Sequence, residues 1–94
     1  MAQENGVKFL PHGWNTAVGL AADLQLSAVF ANKDFVEYLT GSSYIDKIVV
    51  QPWKLDNEGM LSIPEKPGLG IELDFEVVAK YCNGETFLMS NLDL

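Results

Sequence analysis

The sequence predicts an α/β fold (α+β for the isolated piece), with one βαβ step, a β-hairpin-like segment and a C-terminal helix. Three observations predict it. A long apolar segment with a helix cap lies between two short strand-like segments, two further strand-like segments follow around a turn, and a loop rich in proline and glycine precedes a last helical segment. The order strand–helix–strand favours parallel strands with the helix packed across them.

The first two elements are a strand over residues 7–11, which ends at a proline, and a helix from residue 17 to about residue 31. Asn15 or Thr16 caps this helix, because either side chain can accept a hydrogen bond from an unpaired N–H of the first turn. Its polar residues form a narrow stripe, which predicts that protein covers most of its sides. Asp23 lies on this helix and is expected either to be buried and paired or to face solvent.

The elements that follow alternate short apolar segments with turn signals. Strands are predicted over residues 35–39, 47–53 and 60–63, with a loop at 40–43 and a turn at 55–59. Two prolines and two glycines in seven residues make the segment 64–70, "PEKPGLG", an irregular loop. Asp74 then caps a last helix over residues 75–82, which contains the single cysteine, Cys82, as a packing residue.

Size, charge and cysteine content exclude several classes of protein. Ninety-four residues make one domain at most, and 48% hydrophobic residues are typical of a globular chain. A net charge of −7 with six scattered basic residues argues against nucleic acid and anionic membranes as partners. One cysteine excludes an internal disulfide, and the N-terminus lacks the pattern of a secretory signal. A cytoplasmic location without membrane association is therefore expected.

The chain's single histidine, His12, is the first candidate for chemistry. It follows a predicted strand and precedes a capped helix, so it is expected at the carboxyl edge of a strand. Histidine is the residue type whose unperturbed pKa, about 6.5, suits it to take or give a proton near neutrality. The pattern alone favours a packed or surface histidine over a functional one, and it gives Glu37 no role beyond that of a solvated strand residue.

Three segments carry a resemblance to a known family: "PHGWNTAVGLAADLQLSA", "EYL" and "IPEKPGLGIELD". They resemble the C-terminal end of the enolase superfamily, in its mandelate racemase and muconate lactonizing branch, which includes acid-sugar dehydratases and cycloisomerases. The resemblance covers most of this chain, but it corresponds to only about the last quarter of such an enzyme. It implies that residues 1–94 form a single partial domain, the C-terminal fragment of a modified TIM barrel. Residues 7–39 are then its last βαβ step, and 44–94 the C-terminal strands, Pro/Gly loop and helix.

The resemblance also implies roles for particular residues. His12 matches the histidine that acts as general base or acid in abstracting a proton α to a carboxylate. Glu37 matches the glutamate that donates a hydrogen bond to the substrate carboxylate as the enediolate forms. Trp14 is expected mainly to pack at the barrel mouth, with contact to the substrate as the second possibility. Mg²⁺ is implied for the complete enzyme, where it stabilises the enediolate.

This chain departs from the family pattern, because the carboxylates that hold the metal and the domain that selects the substrate belong to other parts of such an enzyme. The chain alone is therefore expected to bind no cofactor and to be inactive. Its expected partner is the missing N-terminal portion of the barrel, with a carboxylate (sugar acid) substrate in the complete enzyme, or further copies of itself in a homo-oligomer. The alternative is a non-catalytic small α/β module that self-associates or binds a protein.

Overall fold

A computed structural model of the chain describes residues 1–29 and 35–81. The end of the first predicted helix and the segment from Cys82 onward lie outside these residues. The described elements are, in chain order, a short 3-10 turn and three α-helices: Gln3–Asn5, α1 (Ala17–Ser27), α2 (Ser43–Asp46) and α3 (Phe75–Lys80). Two of the three helices begin where the capping residues of the sequence predict.

Helix α1 begins after Thr16, which settles the choice between the two predicted caps. Thr16 has extended backbone angles, and its Oγ1 accepts a hydrogen bond from the Val18 amide at 3.3 Å. The threonine hydroxyl thereby satisfies one of the N–H groups that the first turn of a helix leaves unpaired.

Helix α1 ends at Ser27, earlier than the predicted residue 31. Its buried residues lie on one face and end with Leu24, whereas Leu26 is 49% exposed and Val29 is 71% exposed. The described residues beyond Leu24 therefore add little apolar contact to the helix. Because helices in proteins derive most of their stability from packing rather than propensity, the helix stops where its contacts stop.

Helix α3 confirms the second predicted cap. The Oδ1 of Asp74 accepts a hydrogen bond from the Val77 amide at 3.3 Å. Glu76 lies in the first turn and Lys80 in the last, so both charges complement the helix dipole. The helix ends at Lys80, two residues before the predicted end.

The one-turn helix α2 was not predicted, since its start lies in a segment interpreted as a loop. The Ser42 carbonyl accepts hydrogen bonds from the amides of both Ile45 and Asp46. The carboxylate of Asp46 in turn accepts a hydrogen bond from the Gly41 amide at 2.8 Å. These local bonds, rather than an apolar period, close the turn.

The predicted βαβ step and hairpin are not confirmed as strands in the described residues. The β pairing there is an isolated antiparallel bridge between Val49 and Leu73, flanked by hydrogen bonds from Val50 N to Glu72 O and from Asp74 N to Ile48 O, both 2.8 Å. The predicted strand at 47–53 thus pairs with the segment before α3 instead of with residues 60–63. Parallel strands need neighbours with which to share their hydrogen bonds, and this stretch of chain supplies few.

The predicted turn at residues 55–59 is confirmed. The carboxylate Oδ1 of Asp56 accepts hydrogen bonds from the amides of Glu58 and Met60, at 2.8 and 2.9 Å, and the Asp56 amide donates to the Met60 carbonyl. This is the local side-chain bonding that makes aspartate favourable in turns.

The core within the described part of the chain is small. Its buried apolar residues are four on one face of α1 and one at the bridge: Ala17, Leu20, Ala21, Leu24 and Val49. Large apolar side chains remain exposed along the whole chain, among them Phe9, Leu10, Phe35 and Leu69. No described helix is long and apolar enough to cross a membrane.

Candidate functional site

The candidate site is built around the segment that leads into helix α1. His12 is exposed there, while the residues on either side of it, Pro11 and Gly13, are buried. The buried neighbours anchor the backbone, and the imidazole stands at the surface close to the start of α1. Within the described residues, no carboxylate forms an ion pair with it. Nothing in this part of the chain therefore fixes which ring nitrogen carries the proton.

Glu37 is the second predicted residue, and the structure brings it to the same place. Its carboxylate oxygen Oε2 accepts a hydrogen bond from the Gly13 amide at 2.8 Å, across 24 residues of sequence. Because Gly13 directly follows His12, this bond places the Glu37 carboxylate against the backbone of the residue next to His12. The expected hydrogen bond from Glu37 to a substrate carboxylate therefore falls to the other oxygen, Oε1, since Oε2 already accepts a bond.

Asp23 projects from α1 toward Gly13 from another side. Its Oδ2 is buried and has no hydrogen-bond partner among the described residues, so neither of the predicted alternatives, a paired or a solvent-facing carboxylate, describes this atom. A Cβ at Gly13 would lie 2.8 Å from that oxygen. Gly13 is thus required by close packing, and it lies between the carboxyl groups of Asp23 and Glu37.

The segment that carries Glu37 is fixed to α1 through two aromatic residues. The hydroxyl of Tyr38 donates to the Trp53 carbonyl at 2.9 Å, and the Trp53 indole N–H donates to the Ala17 carbonyl at 3.1 Å. Burial raises the pKa of the Tyr38 hydroxyl, and the negative charge of Asp46 raises it further. The phenol therefore stays neutral and keeps its donor at ordinary pH.

Sequence reasoning missed both of these aromatic residues as parts of the site. Neither shows a signal beyond the general tendency of a buried Tyr or Trp to find a hydrogen-bond partner. Trp14, which was predicted, behaves differently. It is 73% exposed and lines a shallow surface groove with Val18 and Ile45, so it has little packing role within the described residues.

The residues present do not fit the Mg²⁺ that the resemblance implies. In the parts of the chain that the structure describes, no three histidine, cysteine, aspartate or glutamate side chains come together in a way that could hold a metal ion. Asp46 lines the same small cavity as Asp23 and Glu37, yet these three described carboxylates do not form such a group. We therefore assign no chemical step to a metal bound by this chain.

A larger cleft lies elsewhere on the molecule, between residues 50–54 and the loop 62–72, with a volume of about 560 Å³. It contains none of the residues predicted to be catalytic. Lys54 and Lys66 line it together with prolines, and Glu72 offsets part of their charge. The site near His12 therefore remains the candidate for chemistry.

Comparison with known families identifies the family to which this chain is similar. The family model described as enolase C-terminal domain-like matches residues 1–77, which include His12, Gly13, Asp23 and Glu37. The chain belongs to this family. Membership in the enolase superfamily confirms the resemblance found in the sequence, and it agrees with the assignment of this chain to part of a TIM barrel.

The sequence of this enolase-type chain is also similar to those of two curated relatives. It is 29% identical over 90 residues to D-galactarolactone cycloisomerase of Agrobacterium fabrum, which covers 86% of the chain and 24% of the relative. It is 34% identical over 76 residues to D-xylonate dehydratase of Haloferax volcanii, which covers 80% of the chain and 18% of the relative. The enolase-type chain thus spans about a quarter or less of each relative.

Proposed function

We propose that this chain forms the C-terminal part of an enzyme of the mandelate racemase and muconate lactonizing type, which abstracts a proton α to the carboxylate of a sugar acid. In this proposal His12 takes or returns the proton, and Glu37 donates a hydrogen bond to the substrate carboxylate. The reaction is a dehydration, a racemisation or a cycloisomerisation. The chain contributes these two groups and is inactive without the rest of the barrel.

The observation that carries the proposal is the hydrogen bond from Gly13 to Glu37. It joins two distant segments so that the carboxyl group lies beside the residue that follows His12. In TIM barrels, catalytic residues come from the ends of different strands and meet at one face, and the proximity of these two segments supports such a placement in the complete enzyme. The names of the two relatives, a cycloisomerase and a dehydratase, support a sugar-acid substrate.

The local structure suits His12 to proton transfer at the surface of a barrel mouth. Its imidazole is exposed, and its backbone is held by buried neighbours, so the ring can reach a substrate while its Cα stays in place. Glu37 has one oxygen engaged with the Gly13 amide, which orients the carboxyl group, and Oε1 remains for the substrate. General acid–base groups of this kind contribute about 10²- to 10⁴-fold to rate.

A chimera tests this proposal. The matching last quarter of the D-galactarolactone cycloisomerase is replaced by this chain, and exchange of the α-proton of sugar acids is followed by NMR in D₂O. We expect the chimera to catalyse exchange and its His12→Asn variant to lose it by about 10²- to 10⁴-fold. The imidazole is replaced by an amide that cannot take up a proton at neutral pH.

The control is Lys8→Gln, which changes an exposed residue of the same segment outside the proposed site. It is expected to leave exchange within about twofold of the parent. Equal exchange rates in the parent and His12→Asn chimeras would remove the catalytic role of His12. Exchange by the isolated chain would contradict its proposed inactivity.

A second function is favoured by the exposed apolar surface. Residues such as Leu10, Leu26 and Val29 expose apolar groups of the kind that self-associating proteins bury. In this alternative the chain is a non-catalytic α/β module whose partner is another copy of itself. Sedimentation velocity over a range of protein concentrations separates this alternative from a monomer.

A further inference from the structure

The carboxyl group of Asp23 has no role in the proposed reaction, yet it is the most unusual polar group of the molecule. Its Oδ2 is buried without a hydrogen-bond partner among the described residues. A buried acceptor that loses its hydrogen bond to water and gains none from protein is costly, and native structures rarely leave one so. The atom therefore points to a ligand that lies within reach of it.

A small cavity lies beside this oxygen. Its volume is about 10 Å³, and the residues that line it include Gly13, Thr16, Asp23, Glu37 and Tyr38. This volume is about that of one water-sized probe, which is the least space that a single buried water molecule needs. The lining also supplies the polar partners that such a water requires, since hydroxyl and carboxyl groups are present alongside Asp23.

We propose that Asp23 is a positioning residue that holds one buried water molecule between helix α1 and the contact of Gly13 with Glu37. The water donates a hydrogen bond to Asp23 Oδ2 and completes its hydrogen bonding. Asp23 packs so closely on Gly13 that a Cβ there would lie 2.8 Å from its oxygen. Asp23 and its water therefore fix Gly13 from the helix side, while Glu37 holds the Gly13 amide from the other side.

The consequence is a coupling between the helix and the surface that carries His12. The Gly13 backbone determines where the carboxyl group of Glu37 lies, and His12 precedes it in the chain. In this inference Asp23 acts through this backbone and through the water, by way of its buried Oδ2. The inference concerns the chain's own structure, so it can hold or fail independently of the proposed reaction.

Water–protein NMR on the full chain tests the inference. Gly13 is observed through its amide and Hα resonances, and long-lived water shows as a negative cross-relaxation peak to them. The parent and Asp23→Asn are expected to show this peak, because a carboxamide can also hold the water. Asp23→Leu, which has the same branching but no polar atom, is expected to lose the peak and to shift the Gly13 amide resonance as its bond to Glu37 loosens.

Two controls separate this effect from a general disturbance of the helix. Ala22→Leu adds apolar volume to the exposed side of α1 and is expected to leave both signals unchanged. The indole N–H resonance of Trp53, which bonds to Ala17, reports in every variant whether the start of the helix is intact. A parent without the water peak, or an Asp23→Leu variant that keeps it, would overturn the inference. So would an Asp23→Leu variant that is more stable to urea than the parent, since that result identifies an unsatisfied oxygen.

Discussion

Tyr38 is the residue whose ionisation the structure connects most directly to stability. Burial, together with the charge of Asp46, raises the pKa of its hydroxyl above the value of about 10 for an unfolded chain. The unfolded chain therefore ionises first as pH rises. The contribution of Tyr38 to stability is complete below about pH 10 and is lost as pH rises from there through the higher pKa of the folded state.

Urea unfolding of the parent and of Tyr38→Phe at pH 7 and at about pH 10.5 checks this direction. At pH 7 the variant is expected to be less stable by about 0.5–1.5 kcal/mol, because the hydrogen bond to the Trp53 carbonyl is lost. Between the two pH values the parent is expected to lose more stability than the variant. Equal losses in both proteins would show that the phenol is not protected in the folded state.

At the scale of the elements, helix α1 depends on its cap because its apolar contacts cover one face. Thr16→Ala removes the side chain that accepts from the Val18 amide, and we expect the free energy of unfolding to fall by about 1 kcal/mol. Thr16→Ser keeps a hydroxyl at the same position and is the matched control, with an expected loss below about half of that. Urea unfolding followed by circular dichroism measures both. An alanine variant as stable as the parent would show that the cap is dispensable.

Helices α1 and α3 were predictable from the sequence because their capping signals are local. Thr16 and Asp74 cap helices through bonds to amides two and three residues away, and a sequence displays such pairs directly. The end of α1 was not predictable, since it depends on how far neighbouring segments cover the helix. The same holds for the strands, because pairing of Val49 with Leu73 joins segments whose meeting no local pattern announces.

The candidate site likewise has a part that the sequence predicts and a part that depends on three-dimensional packing. His12 and Glu37 were assigned through a resemblance in sequence, and the structure adds a contact between Glu37 and Gly13, the residue after His12. The apolar periodicity of α1 allowed Asp23 to be either paired or exposed, because periodicity does not show which neighbours surround a polar residue. The unpartnered Oδ2 and the close approach to Gly13 follow from three-dimensional packing alone.

At the scale of the whole molecule, the core of the described residues is small and many apolar side chains are exposed. Such a surface is typical of one that other protein covers. The chain matches about a quarter or less of each relative, and under the proposed function the rest of the enzyme covers part of this surface. A chain studied without that cover has one abundant source of complementary apolar surface, which is another copy of itself. Self-association and completion of a barrel therefore compete for the same side chains.

Self-association is accordingly expected when the chain is studied alone, and sedimentation velocity over a hundredfold range of concentration measures it. We expect the sedimentation coefficient to rise with concentration toward that of a dimer or larger oligomer. Leu26→Lys places a charge on the 49% exposed side chain of α1 and is expected to shift the association to at least tenfold higher concentration. Leu55→Lys, at a similarly exposed leucine in the turn before Asp56, is the matched control and should behave as the parent. If the parent sediments as a monomer at every concentration, the exposed side of α1 around Leu26 is not a self-association surface. The non-catalytic alternative then loses its support.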